Sequence, residues 1–399
     1  MAQQSSKNFA IPLAFVGLMF FTLGFALGIN SFLIPVLKES LNLSSGVAYM
    51  LLAATFIPFI LFGYPASRTI AVVGYKRTMA ISFVIFALAF VVFVMSAKNE
   101  SFIQFLAASF MSGTANAYLQ ASVNPYITIL GPINSAARRI SMMGICNKLA
   151  WPVAPLFFAA VVPDSTNVQI ADLYLPFYII IGVFVLLSII SLVAPLPEVK
   201  ATGEDKNSAD DCPYAASKTS IWQFPHLLLG VFALFVYVGV ETLALSTAID
   251  YATAVGLPSP DRYAWIPSIG MVVGYICGIV LIPKYLSQDG AMRICASLGV
   301  VGSLLVVLLP AQTSIWAIFL MALGCSLLWP ALWPLAMADL GRFTKSGSAL
   351  LTMAIAGAVV PTLFGALKDS FGAQNAYWLA VPCFLFIFYY GQAGHKIRK

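Results

Sequence analysis

Three ionisable side chains stand inside long apolar stretches of this sequence: Lys148, Glu241 and Asp250. A charge in the hydrocarbon core of a bilayer is costly unless it is paired or lines a water-filled cavity, so each is a candidate functional group. Uncharged amides accompany them at Asn30, Gln120, Asn124 and Asn147, again within apolar runs. Each amide offers two donor hydrogens and an acceptor oxygen, a match for the vicinal hydroxyls of a sugar. Their competing role is to hydrogen-bond one helix to the next. Trp329-Pro330 and Trp333-Pro334 put two indoles four residues apart, on one helix face. The prolines remove backbone donors and favour a broken helix, which a membrane tolerates where the backbone lines a cavity. The indoles are candidate platforms for a sugar ring, or else an aromatic packing surface. Lys148 and Glu241 form a candidate pair, either working in transport or structural.

Catalysis finds less support. A membrane enzyme needs a cluster such as a His–Glu pair, yet the only histidines, His226 and His395, fall at the ends of apolar runs. The six cysteines at 146, 212, 277, 295, 325 and 383 lack the paired spacing of a zinc or redox motif. No cofactor is implied.

The elements that must position these groups are transmembrane helices. Of 399 residues, 60% are hydrophobic and 9% charged, against about 25% charged in a soluble domain, and the mean hydropathy is +0.92. So few charges cannot cover a water-soluble fold, which makes the chain an integral membrane protein with the bilayer as its first partner. The net charge of +6 is spread over short loops, the ordinary topology signal rather than a nucleic-acid surface. Twelve apolar runs read as helices, near 9–37, 47–70, 77–97, 101–130, 135–162, 172–195, 222–254, 262–283, 291–310, 313–340, 345–370 and 374–393. They are continuously apolar rather than alternating, which argues against strands.

Pro197–Ser220 is hydrophilic and reads as a flexible linker. The expected organisation is a six-helix bundle over 1–196, a cytoplasmic linker over 197–221 and a second six-helix bundle over 222–399. With both termini and the linker on one side, that side holds 16 basic residues and the opposite side 4, namely Lys38, Lys98, Arg262 and Lys368. This asymmetry puts both termini in the cytoplasm. Lys148 lies nine residues past Arg139, roughly 14 Å along a helix and so near the mid-plane. The halves also echo each other. Asn124-Pro125, Leu130-Gly131 and Ser141-Met142 correspond to Trp333-Pro334, Leu340-Gly341 and Thr352-Met353 at offsets of 209, 210 and 211, as parallel repeats would.

Gly63-Tyr64-Pro65-Ala66-Ser67-Arg68 followed by Gly74-Tyr75-Lys76-Arg77 resembles the cytoplasmic loop signature of the major facilitator superfamily. Four further stretches resemble its fucose–galactose–glucose:proton symporter family: Gly28 to Pro35, Gln120 to Tyr126 with Leu130-Gly131-Pro132, Tyr237 to Glu241, and Leu340 to Ser348. The resemblance runs from about Phe20 to Gly391. It implies a twelve-helix transporter working by alternating access on a monosaccharide or close derivative, coupled to a proton, in a bacterial inner membrane. Departures from the family bear on coupling. Ser31 stands where many of these symporters have an aspartate, Gln120 where the fucose permeases have a glutamate, and Lys148 where relatives have a small polar residue. Glu241 remains as the carboxylate, so Glu241 and Lys148 are the expected coupling residues. The coupling ion, proton or sodium, stays open, as does uniport. A transporter of an organic anion, with Lys148 as the anion's partner, is the alternative. A monomer is expected, and a solute sensor is disfavoured because no soluble domain is appended.

Overall fold

The computed structural model describes residues 10–129, 136–163, 168–194, 213–282, 285–340 and 343–397. Expectations that fall on 130–135, 195–212, 341 and 342, including Leu130-Gly131-Pro132, Gly341-Arg342 and most of the linker, lie outside the described residues. The described chain is helical throughout, without a strand. In chain order the long helices are α1 (Ala10–Ser40), α2 (Ser45–Ile70), α3 (Val72–Lys98), α4 (Phe102–Ile129), α5 (Ala136–Val161), α6 (Ile170–Val193), α7 (Pro225–Ala254), α8 (Pro260–Leu281), α9 (Asp289–Leu308), α10 (Ala311–Met337), α11 (Leu350–Phe371) and α12 (Asn375–Lys396). A further helix, Thr344–Met353, leads into α11.

Eleven of these segments are long and apolar enough to cross a bilayer. The twelfth, α4, is long enough but carries Gln104, Asn116, Gln120 and Asn124 among its residues. Of these, Gln120 and Asn124 border the cavity between the bundles. Punctuation in the sequence sets the helix ends. Gly74 adopts φ 84°, in the left-handed region open to glycine, and kinks the chain within the first turn of α3, where the tight basic loop was expected. Gly372 does the same at the end of α11 with φ 87°. The Ser44 hydroxyl caps the start of α2 by accepting from the Val47 amide.

The twelve helices form two six-helix bundles. Within the first, α1 packs on α5, α4 on α2 and α3, and α3 on α6; within the second, α9 packs on α10 and α12, α8 on α10, and α7 on α11. The bundles meet along α1–α7, α5–α8 and α2–α11. One close approach fixes α5 against α1. Gly24 and Gly28 of α1 lie against the Asn147 and Trp151 carbonyls of α5, where an added Cβ would stand 1.9 and 2.2 Å from the oxygens. Only hydrogen fits there, so α1 and α5 touch backbone to backbone.

Two expectations differ from what is seen. The last residues of the expected linker are not a free tether: Tyr214 packs edge-on to Phe224 at 5.5 Å, and Ala215 is buried. These apolar side chains find a surface at the base of α7 that the hydrophilic composition of 197–220 did not suggest. Lys368, counted with the cations of the face opposite the termini, is instead buried in α11 with its side chain 8% exposed. It is held there by a carboxylate, and moving it out of the loops only widens the basic asymmetry between the two faces.

Candidate functional site

A cavity of about 130 Å³ lies between the two bundles, walled by α1, α2, α4 and α5 on one side and by α7, α8, α10 and the start of α11 on the other. Gln120 and Asn124 of α4 reach its wall, as do Asn147 and Lys148 of α5, Glu241 of α7 and Trp329 of α10. Six of the nine residues singled out in the sequence therefore meet in one place. Asn30 and Trp333 do not line it.

Lys148 and Glu241 form an ion pair across the cavity, Nζ to Oε1 at 3.1 Å, with side chains 10% and 12% exposed. Tyr237, one turn before Glu241 on α7, donates its hydroxyl to the same Oε1 at 2.7 Å. On the other side, the ammonium of Lys148 lies 5.7 Å from the centre of the Trp151 ring, a cation–π contact. The indole N–H of Trp151 donates in turn to the Ser31 hydroxyl at 3.1 Å. The ion pair is thus the middle of a polar chain from α1 through α5 to α7. In a low dielectric the contacts of such a chain strengthen one another.

The amides divide by environment. Asn147 donates to the Phe20 carbonyl at 3.1 Å, across the contact made possible by Gly24, a bond that does not use its own oxygen. Gln120 donates to the Asn116 side-chain oxygen at 3.1 Å, one turn earlier on α4. Asn30 is 1% exposed, donates to the Thr55 hydroxyl at 2.8 Å and accepts from Ser109 at 3.4 Å. It ties α1 to α2 and α4, the helix-to-helix role that competes with substrate contact for any intramembrane amide. The expected direct contact between Asn30 and substrate does not agree with this placement.

The aromatic reading of α10 splits in the same way. The helix is interrupted at Ser326 and Leu327, just ahead of Trp329-Pro330, where Pro330 cannot return a hydrogen bond to the preceding turn. Trp329 faces the cavity with its ring centre 6.3 Å from that of Tyr237. Trp333 stacks behind it at 5.3 Å and 29°, a backing ring rather than a wall.

Trp151, Tyr237 and Tyr275 also line the cavity, and sequence reasoning gave them no role. The signal was present for two of them: Trp151 is three residues from Lys148 and Tyr237 four from Glu241, spacings that put side chains on one helix face. Tyr275 on α8 has no such local partner. Asp250, the third intramembrane charge, is not at the cavity. It pairs with Lys368 of α11 at 2.6 Å, Oδ2 to Nζ. Among the described residues, no group of three or more His, Cys, Asp or Glu side chains could hold a metal ion.

Comparison with known proteins agrees with this architecture. The sequence profile of the Major Facilitator Superfamily matches residues 16–358. A glucose/galactose transporter of Brucella abortus is 29% identical over 98% of this chain and 96% of its own length. The L-fucose-proton symporter of Escherichia coli is 21% identical over 97% and 94%. In three dimensions the chain is similar to the crystal structure of a superfamily transporter, FucP, in the outward conformation, with a TM-score of 0.72 at 21% identity over 97% of this chain and 99% of that one. Twelve helices in two bundles around a central polar cavity, together with a profile match over most of its length, establish that the chain belongs to the Major Facilitator Superfamily.

Proposed function

We propose that the chain moves a neutral monosaccharide or close derivative across a bacterial inner membrane by alternating access, as a member of the fucose–galactose–glucose:proton symporter family. The relatives named as glucose/galactose transporter and L-fucose-proton symporter support the substrate class. The observation that carries the reading is the composition of the cavity wall. Gln120, Asn124 and Asn147 supply amides, Trp329 an apolar ring face, and the charges of Lys148 and Glu241 cancel each other. Both bonds to Glu241 land on Oε1, so Oε2 is the oxygen left to accept from a sugar hydroxyl.

The charge balance separates this reading from an organic anion. An anionic solute that claimed Lys148 would leave Glu241 buried without its partner, a penalty of several kcal/mol in a low dielectric. A neutral polyol hydrogen-bonds to the amides and leaves the pair intact. Ser31 cannot carry a proton at neutral pH and is engaged with Trp151. Uptake is therefore either uncoupled or coupled to a proton or sodium ion through Glu241 and Lys148.

The reading includes the boundaries at 1–196, 197–221 and 222–399, a monomer, and both termini in the cytoplasm, supported by the basic residues gathered on that side. A thermal-shift and binding screen of the purified protein tests it, comparing neutral, acidic and amino sugars, with and without sodium and across pH. Stabilisation by a neutral hexose is the expected result. Stabilisation by acidic solutes alone, lost in Lys148→Ala, would replace the neutral sugar with an organic anion.

A further inference from the structure

The face of the molecule opposite the termini, where α1 ends and α2 begins, is closed by contacts between the two bundles. Asp369, near the end of α11, accepts from the first backbone amides of α2, Ser45 N–H at 3.0 Å and Gly46 N–H at 2.8 Å, one on each carboxylate oxygen. One turn deeper, Tyr49 of α2 donates its hydroxyl to Asp250 Oδ2 of α7 at 2.9 Å. The Thr362 hydroxyl of α11 donates to the Tyr49 carbonyl at 3.2 Å. Small residues let the backbones come this close: a Cβ on Gly365 would stand 2.8 Å from the Ser45 carbonyl oxygen. Tyr49 and Asp250 are buried, whereas Asp369 is exposed at the rim.

The distribution of charge in this cluster is telling. The ammonium of Lys368 and the carboxylate of Asp250 belong to α11 and α7, both in the second bundle. The four hydrogen bonds that cross to the first bundle end on backbone groups or on a phenol; the Tyr49 and Phe364 rings also meet edge-on at 5.8 Å, and Lys38 of α1 acts on Asp369 through space rather than as a close ion pair. If the bundles part here, the ion pair stays whole and the α2 amides, the phenol and the Asp369 carboxylate pass to water, which supplies equivalent partners. A charge pair crossing the same seam would leave both ions unpaired on every opening.

We propose that Asp369, Tyr49 and Thr362 form a reversible hydrogen-bonded latch that holds this face shut, with Asp250 anchored by Lys368 as its fixed strike. Opening of the face gives up hydrogen bonds and no ion pair. The proposal rests on the alternating-access reading for its requirement that the face open, and on nothing about the identity of the solute.

Two measurements on the full-length protein in liposomes test it. A Cβ built on Gly46 lies 3.5 Å from that of Ala366, within disulfide range. In Gly46→Cys/Ala366→Cys, oxidation with copper–phenanthroline should remove two maleimide-reactive thiols and abolish hexose uptake, and reductant should restore it. Undiminished uptake by the fully cross-linked protein would overturn the proposal. The second measurement needs no solute and keeps the native Gly46. Spin labels are placed at Val47→Cys and Ser370→Cys, both exposed, in a background with the native cysteines replaced. One short distance is expected, with a second, longer population in Asp369→Ala and in Tyr49→Phe. Distance distributions unchanged in both variants would show that these bonds do not hold the face. If hexose uptake is missing from the outset, the sugar reading fails while the distance measurement still decides the latch.

Discussion

Helix α7 carries two carboxylates nine residues apart, and they live in different mechanical settings. Glu241 meets Lys148 of α5 across the seam between the bundles, at the edge of a cavity. Asp250 meets Lys368 of α11 inside a single bundle, with a phenol from the other bundle resting on it. A pair that spans two moving bodies can be remade with each change of conformation, and its partners must tolerate water while apart. A pair within one body is never asked to separate. The same chemistry therefore bridges the seam in one place and stays within a single bundle in the other. The placement of each pair relative to the seam, more than its length or burial, distinguishes them.

The sharpest break of this comparison is to remove one charge from each pair. Lys148→Ala and Glu241→Gln each strand a buried partner, a cost of about 3–5 kcal/mol, and should nearly abolish uptake while membrane levels of protein hold. Removing both charges should be less harmful than removing either, because nothing is left uncompensated. Strictly additive losses in the same uptake assay would show that the two do not act as a unit. In the other pair, Asp250→Asn should act first on thermal stability, read as a lower melting temperature in detergent. A variant of wild-type stability with a raised KM would place Asp250 among the working contacts instead.

Smaller effects refine the same contrast. Gln120→Ala and Asn124→Ala should each weaken sugar binding by about 0.5–1.5 kcal/mol, or about 2- to 12-fold in Kd. Asn30→Ala should leave Kd alone and lower stability, since its bonds run to Thr55 and Ser109. Titration calorimetry with melting curves on the same preparations separates the two outcomes. Tyr237→Phe keeps the ring and removes the bond to Glu241 Oε1, so a loss at the lower end of that range is expected. The smallest effect belongs to the linker: Gly/Ser in place of Ala201–Asp211 should leave uptake unchanged, and abolished uptake would give that segment a role its composition does not suggest.

Much of the site was legible because membranes penalise polarity so heavily. Lys148 and Glu241 stood out as charges without an excuse, and they pair at 3.1 Å. The amides stood out for the same reason, but the penalty is relieved equally by a cavity or by a neighbouring helix. Composition could not say which, so Asn124 lines the cavity while Asn30 is tied to α2 and α4. Lys368 was misplaced because hydropathy marks it as the end of an apolar run, and only the fold brings Asp250 across to hold it. Tyr275 was invisible, since an aromatic in a membrane helix is ordinary until a partner helix gives it a face on the cavity. The helix count was secure for every apolar run. α4 was recognised although its polarity dilutes the hydrophobic signal, because its length and bounding residues still read as a span.

The backbone contact of Gly24 and Gly28 with α5 has a dimensional consequence. Where two helices touch through side chains, rotamers absorb small errors of position, much as a gasket takes up slack. Here there is no gasket. The height of Lys148 along the bundle is set by bare peptide against bare peptide, and α1 acts as the jig that holds it. A slip of one residue along α5 moves the ammonium by about 1.5 Å, close to half the 3.1 Å separation of the pair. An added methyl at either glycine is therefore a change in the calibration of an ion pair on another helix, made from a position that touches neither of its members.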